Sequence, residues 1–120
     1  IDNAEATVAW FRGDTVVPLW HDFSGIMGKH SMGGMSSARF GRGHEEQRKQ
    51  WWRKVAGIAN ESFKSLGIDS VLIAGPGFIK ADMLKDRALD YRLTVVATVD
   101  AEYVDDVAGP REALARWRAK

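Results

Sequence analysis

Two short apolar runs, DSVLIAG and LTVVATVD, constrain this chain more than any other feature. Both are rich in β-branched residues, and neither alternates cleanly with polar ones. Such runs read as strands covered on both faces, because a half-exposed strand would show a period of two. Gly67 and Gly75 bound the first run. The segment between the runs, PGFIKADMLKDRALDYR, reads as a helix, with Pro76 and Gly77 at its start. A third amphipathic segment, GPREALARWRAK, places Pro110 at the first helical position, where a missing N–H costs nothing. Strands that need cover on both faces, interleaved with helices that can supply it, define an α/β chain.

The N-terminal part adds a hairpin. EATVAWF alternates, with Val8 and Trp10 on one face and Thr7, Ala9 and Phe11 on the other. TVVPLWHDF follows after Arg12-Gly13-Asp14, a triplet simpler as a hairpin turn than as an adhesion motif. Pro18 cannot donate to a ladder, so the second strand is expected at an edge or bulged there. Phe23 to Ser36 reads as loop, with Gly25, Gly28, Gly33 and Gly34 and no apolar period. Ser36 or Ser37 can cap the next helix by accepting from an open N–H of its first turn. That helix runs to about Leu66, with Trp51/Trp52, Val55, Ile58/Ala59, Phe63 and Leu66 at spacings of three and four and Gly67 as its stop. It would span roughly 45 Å at ~1.5 Å per residue, more than a small core requires. Of Trp51 and Trp52, one is expected in the core and the other against Trp10 or Trp20 of the hairpin. The order is β-β-α-β-α-β-α. The expected fold class is α/β, a mixed β-sheet opened by a hairpin and sandwiched by helices, in a ribonuclease-H-like topology, with one long helix after a mobile Gly-rich loop.

With 120 residues, positions 1–120 form one domain able to bury a core unaided. No apolar run is long enough to cross a bilayer, and no N-terminal segment has signal-peptide character. The opening IDNAEA has no initiator Met and is already strand-like, so the chain is expected to be a piece of a longer protein. There are no cysteines, which removes disulfides, thiolate zinc sites and cysteine nucleophiles and suits a reducing cytosol.

The chemistry concentrates in GKHSMGGMSSARFGRG. From Lys29 to Lys54 there are seven Lys and Arg against two Glu, a net +5 that leaves −4 over the remainder of a +1 chain. This asymmetry suits either a polyanion-binding surface or a solvated helix face. Gly33-Gly34 permits positive φ and close approach to a ligand, and its N–H groups can form an anion or oxyanion site. Weaker signals compete. His21, His30 and His44 lack metal-ligand spacing. Asp2, Asp69 and Asp100 sit at strand ends, as two-metal nucleases require, or as turns and caps commonly use. AGPGF follows a strand but lacks the Lys-Ser/Thr of a phosphate loop.

KHSMGGMSSARFGRGHEEQRKQWWRKVAGIANESF resembles the central domain of the class-1 peptide-chain release factors of eukaryotes and archaea. The family hallmark is K-H-x-x-G-G-Q-S-x-x-R-F. Lys29, His30, Gly33, Gly34, Ser36, Arg39 and Phe40 match it at the right spacing. The resemblance continues through IDSVLIAGPGFIKADML and YRLTVVATVDAEY, and upstream through IDNAEATVAWFRGDTVVPLW, so it covers nearly the whole chain. It implies a cytoplasmic translation factor whose Gly-Gly tip enters the peptidyl-transferase centre of the large ribosomal subunit. There the tip promotes hydrolysis of the peptidyl-tRNA ester. Gly33, Gly34 and Met35 take the catalytic positions. Lys29, His30, Ser36, Arg39, Arg42 and Arg48 take the RNA-binding ones. The implied partners are large-subunit rRNA, the peptidyl-tRNA 3′ end and, through the full-length protein, a class-2 GTPase release factor. No cofactor, metal or membrane is implied.

One departure matters. Met35 stands where the family has glutamine, and the Gly-x-x-Gln variant of a stalled-ribosome branch is absent too. Met keeps the backbone N–H and the approximate length but no strong donor or acceptor. A diverged paralogue with slow or no hydrolysis, a pelota-like rescue homologue that binds without catalysis, and an engineered substitution are the alternatives. Ser31, Met32 and Gly43 also differ from the usual residues, which favours divergence.

Overall fold

The computed structural model describes residues 1–26 and 37–120; for 37–42 only the helix itself is described. Seven elements follow in the expected order: β1 (Glu5–Arg12), β2 (Thr15–Phe23), α1 (Ser37–Leu66), β3 (Ser70–Gly75), α2 (Ile79–Lys85), β4 (Thr94–Asp100) and α3 (Ala108–Arg118).

β1 and β2 pair antiparallel across a two-residue turn, Gly13-Asp14, with Gly13 at φ 62°. The register steps from Val8↔Trp20 to Ala9↔Pro18, so Leu19 is the extra residue of a bulge beside Pro18. This is where an imino acid with no N–H is tolerated. Asp14 accepts from Arg118 at 2.9 Å, which ties the RGD turn to the end of α3.

β3 and β4 pair in parallel. The expected mixture of antiparallel and parallel pairing is present, but as two separate ladders rather than one continuous sheet. Ile1 N donates to Ala74 O at 2.8 Å and links the ladders at one end. A cavity of about 230 Å3 lies along the rest of the seam, between Thr7–Phe11 and Ser70–Ala74.

Trp51, Val55, Ala56 and Ala59 of α1, with Ile79 and Met83 of α2, bury against Ile1, Ala6, Val8 and Ile73. On α3, Ala113 and Leu114 are buried. Thr7, on the face of β1 opposite Ala6 and Val8, donates to Val104 O at 2.6 Å just ahead of that helix. The strands therefore lie between helical layers.

Three local expectations are corrected. The helix after β3 ends at Lys85, well before Arg92. Arg87 takes φ 55°, and the Arg87 and Ala88 N–H groups reach back to Leu84 O and Met83 O. That is a Schellman stop with Arg in the left-handed position. The last helix starts at Ala108, two residues before Pro110. Both carboxylate oxygens of Asp105 accept from the Ala108 and Gly109 N–H groups and supply the start. LTVVATVD is not buried throughout. Among the described residues β4 pairs only with β3, the register skips Val96, and that side chain stands 47% exposed. At the end of α1 the expected glycine stop holds. Gly67 takes φ 70°, and Ile68 N donates to Phe63 O at 2.9 Å.

Candidate functional site

Of the residues expected to act, Lys29, His30, Gly33, Gly34, Met35 and Ser36 lie outside the described residues. Arg39 and Arg42 fall in the first two turns of α1, which begins at Ser37 directly after the Gly-rich segment. Arg48 is the one expected RNA contact whose side chain is described, and it is turned to internal use. Its Nη2 donates to Asp82 Oδ2 at 2.7 Å and its Nε to Asn3 Oδ1 at 3.1 Å. The guanidinium sits 5.7 Å from the Trp52 ring centroid.

The neighbouring turn is anchored in the same way. Trp51 is buried, donates Nε1 to Asp2 O at 2.8 Å and packs 6.2 Å from the Trp20 ring. One tryptophan therefore serves both core and hairpin. Trp52 faces α2 instead and donates Nε1 to Asp86 Oδ2 at 2.7 Å. The expectation that the second ring would reach the hairpin fails because consecutive helix positions point about 100° apart. Arg53 grips the same Asp86 with two bonds, Nε–Oδ2 2.8 Å and Nη2–Oδ1 3.0 Å. The Arg53 bond and then the Trp52 bond hold the Asp86 carboxyl well below the usual carboxylate range. Lys54 lies 3.5 Å from Asp22 and over Trp20. So Arg48, Arg53 and Lys54 meet carboxylates of the body, while Lys49 makes no ion pair among the described residues.

The strand-end aspartates do not converge. Asp2 Oδ1 accepts from the Ala4 and Glu5 N–H groups as a turn. Asp69 meets Ser70 at 3.3 Å. Asp100 pairs with Lys80 at 2.8 Å. Among the described residues no group of three or more His, Cys, Asp or Glu is placed to hold a metal. Lys80 is buried, and its ammonium also donates to Gly75 O and Gly77 O. It thereby stitches the AGPGF turn to the end of β4. No helix among the described residues is long and apolar enough to cross a membrane.

Sequence reasoning missed Asn3, Asp82 and Asp86. Asp82 and Asp86 are four apart, as are Arg48 and Trp52, which marks one-turn spacing on each helix. That the two pairs face each other depends on how α1 packs against α2.

The profile of the eRF1 domain 2 family matches residues 1–119. The chain belongs to the eRF1 domain 2 family. Peptide chain release factor subunit 1 of Methanobrevibacter smithii is 38% identical over 117 residues, covering 95% of this chain and 28% of that protein. The same factor of Methanosphaera stadtmanae is 32% identical over 118 residues, again covering 95% and 28%. This eRF1 domain 2 chain therefore spans well under a third of the length of those curated relatives. A solved structure described as archaeal translation termination factor aRF1 superposes with a TM-score of 0.78 at 22% identity, covering 100% of this chain and 33% of that one. At that identity the likeness is one of fold, and it bears out the α/β arrangement of hairpin, parallel pair and helices.

Proposed function

We propose that this eRF1 domain 2 chain is the central domain of a translation-termination or ribosome-rescue factor. Its Gly33-Gly34 segment enters the peptidyl-transferase centre and promotes hydrolysis of the peptidyl-tRNA ester. The observation that carries the reading is the family match over residues 1–119 together with the Lys29–Phe40 motif. Water adds to the acyl carbon, the bond to the tRNA 3′ oxygen breaks, and that oxygen takes up a proton. Two glycines leave backbone N–H groups free to approach the ester, and the N–H of Met35 stabilises charge on the leaving oxygen. Lys29, His30, Ser36, Arg39 and Arg42 face RNA phosphates. The large-subunit rRNA and the peptidyl-tRNA 3′ end are the partners, and a class-2 GTPase release factor acts through the full-length protein. Met35 lacks the carboxamide that selects and orients water, so hydrolysis is impaired.

Peptide release from loaded ribosomes by the full-length protein tests this. Met35→Gln should accelerate release roughly tenfold, the scale of one well-placed hydrogen bond. A parent as fast as Met35→Gln overturns the impairment. Met35 itself favours a second reading, a non-catalytic ribosome-binding module. Ribosome binding by both proteins with release by neither would select it.

A further inference from the structure

The described side chains of α1 divide into two groups. From Gly43 to Gln50 none is buried. From Trp51 onward Trp51, Val55, Ala56 and Ala59 sink into the core. Within that stretch Arg48 grips Asp82 and Asn3. One turn further in, Trp52 and Arg53 grip Asp86. Asp82 lies within α2 and Asp86 is its C-cap, so both rungs rest on one short helix. That helix is itself seated by the buried Ile79 and Met83, and by Lys80 on the AGPGF turn.

We infer that Asp82 and Asp86 form a two-rung carboxylate clamp that sets the direction in which α1 leaves the body. Arg48 and Arg53 then act as positioning residues rather than as phosphate contacts. The inference rests on the proposed function only for its consequence in release. α1 begins at Ser37, eleven residues before Arg48, a lever of about 16 Å at ~1.5 Å per residue. A tilt of about 10° at the clamp moves the start of α1 by about 3 Å. Misplacement by about 1 Å can already cost a hundredfold in a reaction that depends on orientation. Arg53 meets Asp86 in bidentate geometry, and Arg48 splits its fork between Asp82 and Asn3, which fixes angle as well as distance. A cation meant for RNA would gain nothing from a carboxylate 2.7 Å away, because that carboxylate cancels its field.

The test uses the full-length protein, with nitroxide labels on Ala38→Cys and Arg111→Cys. This chain has no cysteine of its own, and any elsewhere in the full-length protein are replaced. Pulsed electron double resonance then reads the distance between the start of α1 and α3 in the parent, Asp82→Asn, Asp86→Asn and the double variant. The double variant should shift or widen the distribution by about 3 Å or more, with each single variant in between. An unchanged distribution in folded protein overturns the clamp. Arg48→Lys, which keeps the charge but loses the fork, should move it in the same direction as Asp82→Asn. Release kinetics in the Met35→Gln background supply the second arm. The clamp predicts a maximal rate lowered roughly tenfold or more, with the half-saturating concentration within about twofold. A steeper salt dependence and tighter binding at an unchanged maximal rate would identify Arg48 and Arg53 as freed phosphate contacts and overturn the assignment. If no variant releases peptide, the proposed function fails while the distance measurement still decides the clamp.

Discussion

Gly75 shows how one missing side chain closes this fold. It takes φ 151°, and a Cβ built there would stand 2.0 Å from Ile1 O. The same residue ends β3, and its carbonyl accepts from the Lys80 ammonium. A side chain would have to displace the Ile1 strand lead-in while sitting in a backbone conformation that L-residues avoid. Gly75→Ala should therefore cost about 2–4 kcal/mol, combining backbone strain with overpacking. Urea unfolding monitored by tryptophan fluorescence checks this; a midpoint within error of the parent would refute the close approach. Lys80 beside it illustrates the opposite case. A buried ammonium is tolerable because two carbonyls and Asp100 satisfy its three donors.

Helix ends in this protein are set by backbone geometry as much as by composition. α1 and α2 stop with the same pattern of reversed hydrogen bonds, yet one has Gly67 in the left-handed position and the other has Arg87. Arg at φ 55° carries a steric cost that glycine does not. Arg87→Gly is expected to stabilise the domain by up to about 1 kcal/mol, with its gain offset in part by a freer unfolded chain. Thermal and urea melts would show it, and destabilisation would mean that the Arg87 side chain contributes a contact larger than its strain. The glycine-marked stop of α1 was readable in advance. The stop of α2 was not, because no small residue marks it and Asp86 looks like one more helical position.

For the molecule as a whole, three depressed carboxylates pin the helical layers. Asp86 is held down by Arg53 and Trp52, Asp100 by Lys80, and Glu112 by the Tyr103 N–H, then Arg116 and the Glu102 N–H. They fasten α1 to α2, α2 to β4, and α3 to the segment after β4. A carboxylate with a lowered folded pKa stabilises the fold above its unfolded value of about 4, and that contribution is lost as pH falls through the folded value. The contribution of these three carboxylates should thus be flat from pH 7 to about 5 and decline below about pH 4. Urea midpoints across that range check the sign. The Asp86→Asn/Asp100→Asn/Glu112→Gln variant should show a shallower decline, and an equally steep one would place the acid response elsewhere.

Element order, the hairpin, an edge or bulge at Pro18, the long helix with its Gly67 stop and the family membership all followed from residue order. Each depends on chemistry carried by near neighbours: alternation, helical spacing, an imino acid, a glycine, an ordered motif. The separation of the sheet into two ladders, the exposure of Val96, the division of labour between Trp51 and Trp52, and the pairing of Arg48 and Arg53 with Asp82 and Asp86 did not. These depend on where α2 comes to lie against α1, a contact between residues some thirty positions apart. A run of cations reads the same along the chain whether its charges face solvent, RNA or carboxylates. Only packing brings Asp82 and Asp86 alongside, and so turns part of the basic segment GRGHEEQRKQWWRK from a free positive face into the root of a lever.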